Sequence, residues 1–256
     1  MTKRTILLML SCFSFIFMLT LNALANILPI NGYNTGQLSD MYPNLFVPAG
    51  LTFSIWGLIY IALLLFLYGL FRYSTREEKS FFKVSTLFIV SNILNACWIL
   101  AWHYKLISLS LIIMIALLAT LIKLYLEIKE IRGLRATVGA RFMKFASSLY
   151  LGWISLATVA NASALLVFFQ WNRFGLSEVF WTIVMILVVL FLTITMLIRE
   201  KDIVFSSVVL WAYYGIILKR LSLVPVYSGI IVTTEISFLI VIMLVGVTLV
   251  RSIKKS

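Results

Sequence analysis

The chain has 256 residues, of which 62% are hydrophobic and only 12% are charged, with a formal net charge of +12. A soluble domain of this size could not cover so much apolar surface with so few charges, so the composition excludes an ordinary soluble protein. The net positive charge does not indicate a nucleic-acid partner, because the basic residues lie in short loops between apolar segments, as topology-determining residues do.

Apolar segments long enough to cross about 30 Å of hydrocarbon recur along the whole chain. We expect them at residues 5–28, 50–72, 82–103, 106–127, 142–169, 178–198, 203–219 and 229–250. The sequence therefore predicts an all-α polytopic membrane protein with about eight transmembrane helices and no globular domain outside the bilayer. Cys12 and Cys97 lie inside two of these segments, which indicates small buried residues rather than a disulfide or a metal site.

The first apolar segment follows a basic N-terminus and ends in Ala23-Leu24-Ala25. This pattern is typical of a cleaved signal peptide, and it also fits a first transmembrane helix that runs to about Leu28. We favour the helix, because Asn22 and Asn26 are four residues apart and would share one face. Such a polar face suits a helix end that is buried in a bundle.

The distribution of basic residues predicts that both chain termini are cytoplasmic. With this orientation, the outer side holds only Lys105, Arg173, Lys219 and Arg220. The basic residues assigned to the cytoplasmic side are Lys3, Arg4, Arg72, Arg76, Lys79, Lys83, Lys123, Lys129, Arg132, Arg135, Arg141, Lys144, Arg199, Lys201, Arg251, Lys254 and Lys255. We therefore expect a multi-pass protein of the cell (inner, cytoplasmic) membrane, with an even number of spans and the loop at residues 31–50 outside.

The loop at residues 31–50 is polar and rich in Asn, Gly and Pro, and it is long for a chain whose other connections are short. Long ordered connections are often functional. The sequence leaves two interpretations open, a solvated surface connector or a lid over the outer mouth of the helix bundle. At the end of the loop, Pro48 fixes its own φ and Gly50 relaxes the backbone, so the turn into the next helix is set locally.

An aromatic pattern follows this turn. Phe53, Trp56 and Tyr60 stand at positions i, i+3 and i+7, which predicts one aromatic face of the second transmembrane helix. Such a face is either helix packing or the wall of a ligand pocket.

The third apolar segment carries a stripe of polar and aromatic residues. Ser91, Asn95, Trp98 and Trp102 are spaced so that they share one helix face, and Asn92 lies beside them. An amide inside a membrane helix costs free energy unless it is hydrogen-bonded, so these side chains should face the bundle or a wet cavity. The stripe indicates either interhelical hydrogen bonds or a pocket wall with a few polar anchors.

The fifth segment repeats this combination. Tyr150, Trp153 and Asn161 share a face with Ala157 and Ala164, whose small side chains allow another helix to approach closely. Asn161 again requires a hydrogen-bond partner. The alanines indicate helix packing, whereas the aromatic and amide positions fit either packing or ligand binding.

Glu235 is the acidic residue that lies well inside an apolar segment, the eighth. Intramembrane carboxylates are rare and are treated as functional hypotheses, here a coupling residue for transport. The alternative is a structural carboxylate in an ion pair, for which Lys219 or Arg220 at the outer end of the seventh segment could be the partner.

Residue combinations typical of catalysis are missing from the sequence. His103 is the single histidine and lies at a membrane boundary, where an interfacial role is more typical than a catalytic one. The sequence shows no Ser/His/Asp set, no paired catalytic carboxylates, no metal-ligand cluster and no phosphate-binding glycine loop. We therefore expect neither an enzyme nor a cofactor or metal site.

Three stretches resemble motifs of the tryptophan-rich sensory protein family (TspO/MBR), which includes the translocator proteins once called peripheral benzodiazepine receptors. They are Phe46-x-Pro48-x-Gly50 with the aromatic residues that follow it, Leu94-Asn95-x-x-Trp98, and Leu149-Tyr150-Leu151-x-Trp153 with Ala157 and Asn161. The chain departs from the family in lacking the paired prolines and the Trp of the loop, and in having Ser148-Leu149 before Tyr150 where the family has a proline.

The resemblance covers about residues 1–170 and implies a five-helix transmembrane unit at residues 1–172, followed by three additional helices at residues 173–256. It implies a protein that binds, senses or translocates a flat apolar ligand of the tetrapyrrole, sterol or isoprenoid type, and that can form a homo-oligomer. By position, the residues expected to line or support the pocket are Phe53, Trp56, Tyr60, Asn95, Trp98, Tyr150, Trp153 and Asn161. This agrees with the residue pattern, because flat ligands stack on aromatic faces and are oriented by a few polar groups.

Two other functions remain open at this point. The first is a proton-coupled transporter of a small solute, in which Glu235 and the three additional helices would form the coupling element. The second is a structural or accessory membrane subunit whose aromatic and polar stripes only pack.

Overall fold

The computed structural model describes residues 1–28, 30–73, 78–131 and 137–254. Within these ranges the chain is helical and has no β-strand, and eight helices are long and apolar enough to cross a membrane. The prediction of an all-α polytopic membrane protein with about eight transmembrane helices is confirmed. Arg76, Arg132, Arg135 and Lys255, which contribute to the predicted charge asymmetry, lie outside the described residues.

The long helices begin and end close to the predicted segment boundaries. They and one short helix are α1 (Lys3–Ile27), α2 (Thr35–Asp40), α3 (Ile55–Tyr73), α4 (Glu78–His103), α5 (Ile107–Lys129), α6 (Val138–Phe168), α7 (Glu178–Thr195), α8 (Ile203–Leu221) and α9 (Ser228–Ile253). A 3₁₀ turn at Gly50–Ser54 leads into α3, and a π-helical turn at Met196–Glu200 continues α7. The short helix α2 lies within the connection between the first two spans.

Polar residues between the apolar segments act as helix caps. Asn34 and Gln37 form a capping box at the start of α2, in which each side-chain oxygen accepts the backbone N–H of the other residue at 2.9 Å. The side chains of Ser177 and Asp202 accept the backbone N–H three residues later and so begin α7 and α8. The caps explain why these helices start where the hydrophobic pattern starts.

Contacts between Cα atoms divide the chain into two compact units, residues 1–38 with 55–161, and residues 39–54 with 162–256. Helix α6 contributes to both, because the division falls within it. The second unit therefore contains residues 39–54, from the connection between the first two spans, together with the last three helices. The domain boundary at residues 172 and 173 stays a prediction.

The first unit contains α1, α3, α4, α5 and most of α6. Phe66 of α3 stacks on Phe88 of α4, with ring centroids 4.6 Å apart and an interplanar angle of 6°. Helices α3 and α6 meet at Gly69 and Gly139, where a Cβ added to Gly139 would lie 3.1 Å from the Cα of Gly69. Only glycine permits this approach, so the pair fixes where the two helices cross.

The second unit is built around α7, α8 and α9. The buried hydroxyl of Tyr213 in α8 donates a hydrogen bond of 2.8 Å to the carbonyl oxygen of Ile186 in α7. Leu190, Leu197 and Val241 form a buried apolar cluster between α7 with its π-helical turn and α9. These contacts hold the three helices together.

The connection before α3 contains more regular structure than the predicted polar loop. The backbone N–H of Thr52 donates to the carbonyl of Ala49 at 2.9 Å, which forms the start of the 3₁₀ turn. Phe53 lies in this turn rather than in α3. The 3.6-residue spacing that would place Phe53 on one helix face with Trp56 and Tyr60 therefore does not apply to it.

Candidate functional site

Trp56 is the centre of an aromatic cluster in the first unit. Its ring centroid lies 5.7 Å from Tyr60 and 6.2 Å from Trp98, and both rings are stacked on it. Tyr150 and Trp153 of α6 approach it edge-on at 6.1 and 6.3 Å. These separations are within the range in which aromatic pairs attract one another. The structure therefore brings these five predicted site residues together from α3, α4 and α6.

Asn95 links three helices beside this cluster. Its side-chain oxygen accepts a 2.7 Å hydrogen bond from the amide of Asn22 in α1, and its own amide donates a 2.8 Å bond to the hydroxyl of Tyr150 in α6. All three side chains are buried. The expectation that Asn95 would need a hydrogen-bond partner is confirmed, and the chain of bonds fixes the position of the Tyr150 ring.

The indole N–H of Trp98 is a buried donor without a hydrogen-bond partner among the described residues. An unsatisfied buried donor costs about 1–3 kcal/mol. Trp98 stacks on Trp56 on one side and on Trp102 on the other, with a Trp98–Trp102 centroid distance of 6.2 Å. The cluster thus combines apolar ring faces with one donor that a ligand could satisfy.

Asn161 is buried but bonds away from the Trp56 cluster. Its amide donates to the hydroxyl of Ser110 in α5 at 3.1 Å, and the Asn161 oxygen lies 3.3 Å from the same hydroxyl. It is eight residues beyond Trp153 in α6, which is about 12 Å along the helix axis. The structure shows Asn161 as a link between α5 and α6, and the prediction that it supports a pocket stays untested.

Three contributors were not among the predicted site residues. Asn22 completes the hydrogen-bond chain, Trp102 extends the ring stack, and Ser110 is the partner of Asn161. Asn22 and Trp102 could have been recognised from the sequence, because each lies on a helix face that carries other polar or aromatic residues. Ser110 could not, because it is only a small polar residue in an apolar segment.

Residues 39–54 of the second unit form the connecting segment, which lies before α3. Charged side chains fix its first part, residues 39–47. The backbone N–H of Leu45 donates a 3.0 Å hydrogen bond to Glu178 in the first turn of α7. Lys219 near the end of α8 forms a 2.7 Å ion pair with Asp40. Partial burial raises the pKa of the Tyr42 hydroxyl above its ordinary value.

Helix α8 fixes the second part of the connecting segment, residues 48–54, through hydrogen bonds with the backbone of the segment. The N–H of Ala49 donates to the carbonyl of Gly215 at 3.0 Å, and the indole N–H of Trp211 donates to the carbonyl of Thr52 at 2.9 Å. A Cβ at Gly215 would overlap the side-chain oxygen of Thr52 and lie 3.0 Å from the Cβ of Pro48. Gly215 is therefore required for the segment to lie this close to α8.

Among the described residues, neither Lys219 nor Arg220 forms an ion pair with Glu235. Lys219 pairs with Asp40 rather than with Glu235. Glu235 is exposed on α9 within its membrane span. Arg220 is only 5% exposed, and its Nε has no hydrogen-bond partner within the described residues. The coupling role of Glu235 stays a prediction.

Metal binding has no support among the described residues, since no group of three or more His, Cys, Asp or Glu side chains there is placed to hold an ion. Cys12 and Cys97 are both free, but the prediction that both are buried is wrong, because Cys12 is half-buried and Cys97 is exposed.

Comparison with known proteins gives one family. The family model described as TSPO-like protein matches residues 8–249 of this chain. The match covers most of the chain and extends through α7 and α8 into α9, so it includes the three helices beyond the five-helix unit. No curated protein and no solved structure matches.

Proposed function

The chain belongs to the TSPO-like protein family, and from this premise we propose that it binds a flat apolar ligand at the Trp56 cluster and senses this ligand or helps it cross the membrane. The ligand class that fits is a tetrapyrrole, a sterol or an isoprenoid-type molecule. The cluster offers indole and phenol faces for stacking and the indole N–H of Trp98 for a polar group on the ligand.

The observation that carries this proposal is the unpartnered donor of Trp98 within a buried ring stack. If the aromatic residues served only to pack the helices, a phenyl ring at this position would fill most of the same space without leaving a buried N–H unsatisfied. A ligand with a hydrogen-bond acceptor would remove this cost by inserting next to Trp98. The rings of Trp56 and Trp98 would then exchange contacts with each other for contacts with the ligand.

We further propose that the protein is a binding protein and not an enzyme, that it lies in the cell membrane with both termini in the cytoplasm, and that it forms a homo-oligomer. The distribution of basic residues in the sequence supports the orientation. Its immediate partners would be the lipid bilayer and the hydrophobic ligand.

The proposal is tested with the full chain in nanodiscs of phosphatidylcholine, titrated with mesoporphyrin dimethyl ester, a flat tetrapyrrole whose ester carbonyls accept hydrogen bonds and which has no free carboxylate. We expect saturable binding above that of empty nanodiscs, measured by the shift of the porphyrin absorbance band. Trp98→Phe keeps a ring but removes the donor, so it should weaken binding about twofold to tenfold. Trp98→Ala also removes the stacking face and should weaken binding further.

Trp171→Phe in the second unit is the matched control, because it makes the same substitution at a residue that is not part of the Trp56 cluster. It should leave the Kd for mesoporphyrin dimethyl ester unchanged. The proposal would be overturned if neither mesoporphyrin dimethyl ester nor a sterol bound saturably, or if Trp98→Ala bound mesoporphyrin dimethyl ester as tightly as the unmodified chain. The cluster would then serve only to pack α3, α4 and α6.

A further inference from the structure

A separate cavity of about 310 Å³ lies within the second unit. It is lined by Pro43, Asn44 and Phe46 of the connecting segment, by the end of α6, and by the stretch that leads into α7 together with the first turns of that helix. Because α6 and α7 are candidate membrane spans that end and begin here, the cavity lies at a membrane boundary. Its volume is at the lower end of the range for small-molecule sites, which indicates a ligand smaller than a tetrapyrrole.

One wall of this cavity is aromatic. The indoles of Trp171 and Trp181 lie with ring centroids 5.1 Å apart, and both line the cavity together with Phe46. Leu166 and Met185 extend the apolar surface. The indole N–H of Trp181 is used within the protein, because it donates to the carbonyl of Arg173 at 2.9 Å. The ring faces remain as a surface for an apolar or aromatic body.

Arg173 is the basic residue that lines the cavity, and the N–H groups of its guanidinium are available to a ligand. The closest carboxylate oxygen, on Glu178, is 3.6 Å away, which is an ion-pair distance but too long for a hydrogen bond. About half of the Arg173 side chain is exposed. Within the described part of the chain, its guanidinium makes no hydrogen bond. An ion pair of this kind contributes little, so an incoming anion can replace it at small cost.

The acidic residue of the lining is already compensated. One oxygen of Glu178 accepts the backbone N–H of Leu45 at 3.0 Å, and the carboxylate also interacts electrostatically with the buried Arg220. The carboxylate of Glu178 therefore interacts with the guanidinium groups of both Arg173 and Arg220. A ligand cation would meet excess positive charge here, whereas a ligand anion would balance it.

The backbone holds Arg173 in place at the edge of the cavity. Arg173 and Phe174 both have left-handed φ angles, of 58° and 53°, and Gly175 follows at 75°. Such angles are unfavourable for residues with a side chain and persist only when the surroundings enforce them. Here the backbone N–H of Phe174 donates to the side chain of Asn172, and the carbonyl of Arg173 accepts from Trp181.

We propose that this cavity binds a small anionic amphiphile, with its carboxylate or phosphate on the guanidinium of Arg173 and its apolar body against the indoles of Trp171 and Trp181. Two sources carry this chemistry, a free aromatic carboxylic acid and the headgroup of an anionic phospholipid. The site is distinct from the Trp56 cluster in its residues, its size and the charge of its ligand.

The test uses the full chain in phosphatidylcholine nanodiscs and 2-naphthoate as the free acid, with bound ligand measured by equilibrium dialysis. We expect saturable binding that weakens about tenfold to a hundredfold in Arg173→Gln, because a charge-assisted hydrogen bond is lost. Arg173→Lys keeps the charge and should retain part of the affinity. Trp171→Leu should also weaken binding.

Arg199→Gln is the matched control, because it removes the same charge from an exposed position in the second unit that does not line the cavity. It should bind 2-naphthoate like the unmodified chain. Circular dichroism and thermal unfolding, measured in parallel, show whether each variant is folded. Equal affinity in Arg173→Gln and Arg199→Gln would overturn the proposal for the free acid.

A second arm tests the phospholipid source. In nanodiscs that contain phosphatidylglycerol, a lipid headgroup in the cavity would compete with 2-naphthoate and raise its apparent Kd, and native mass spectrometry would show phosphatidylglycerol retained by the unmodified chain but not by Arg173→Gln. Binding of 2-naphthoate that is unaffected by phosphatidylglycerol supports the free acid. If no 2-naphthoate binds and lipid retention is the same in Arg173→Gln, the cavity holds no anion, and Trp171 and Trp181 serve only as interfacial anchors.

Discussion

The crossing of α3 and α6 gives a sharp test of the packing in the first unit. We predict that Gly69→Ala destabilises the protein, because a Cβ there would overlap the carbonyl oxygen of Gly139 and lie 2.9 Å from the side chain of Met143. The contact with Met143 is at its Cγ, which can move if the side chain changes rotamer. The carbonyl oxygen belongs to the backbone of α6, so relief requires the two helices to separate.

The expected change in the free energy of unfolding combines two opposing contributions. Overpacking a close contact with one methyl group costs about 1–3 kcal/mol. Replacing glycine by alanine inside a helix contributes about 1 kcal/mol in the opposite direction. Gly57 isolates the second term, because it lies in the same helix and has nothing within 4 Å of an added Cβ. We expect Gly69→Ala to be less stable than Gly57→Ala by about 1–3 kcal/mol.

The measurement is equilibrium unfolding in mixed micelles with increasing denaturing detergent, followed by tryptophan fluorescence. Both variants are compared with the unmodified chain under the same conditions, so that differences in the unfolded state largely cancel. The reasoning would be refuted if Gly69→Ala and Gly57→Ala had the same free energy of unfolding. In that case α3 and α6 would not be in backbone contact at Gly69.

Three further predictions follow from single contacts. Asn95→Leu should lower the free energy of unfolding by about 1–3 kcal/mol, because it leaves the buried amide of Asn22 without its side-chain acceptor; a change below about 0.5 kcal/mol in the same unfolding assay would contradict this. Gly215→Val should displace the connecting segment by colliding with Thr52, and hydrogen exchange of residues 45–52 should become faster; unchanged protection would show that the segment does not depend on α8. Under the proton-coupled alternative, Glu235→Gln should abolish solute uptake driven by a pH gradient in vesicles, and unchanged uptake would remove that alternative.

The transmembrane helices could be predicted from the sequence because the bilayer imposes a minimum length of apolar residues on each span. The segments at residues 203–219 and 229–250 became α8 and α9 with small shifts at their ends. The need for partners could also be predicted, since a buried amide in a membrane helix must be bonded. The identity of the partner could not, because Asn22 and Asn95 are 73 residues apart and no local pattern relates them.

The contacts of the connecting segment were harder to predict for a different reason. The hydrogen bond from Ala49 to Gly215 joins two backbone groups, and nearly every residue has the same backbone groups. It therefore leaves no residue type to recognise, apart from the glycine that the close approach requires. The ion pair of Lys219 shows a related limit, because the sequence suggested Glu235 as its partner by charge alone, whereas the fold brings it to Asp40.

The contacts that hold the connecting segment differ along its length, and this difference bears on the cavity in the second unit. Near Thr52, the segment is held by a backbone hydrogen bond, an indole hydrogen bond and the close approach to Gly215. Near Asp40, it is held by an ion pair in which the Asp40 side chain is exposed, which contributes about 0–1 kcal/mol. The part that lines the cavity, through Pro43, Asn44 and Phe46, lies between them and is fixed by the hydrogen bond from Leu45 to Glu178. The same carboxylate that faces Arg173 therefore also fixes the part of the segment that lines the cavity.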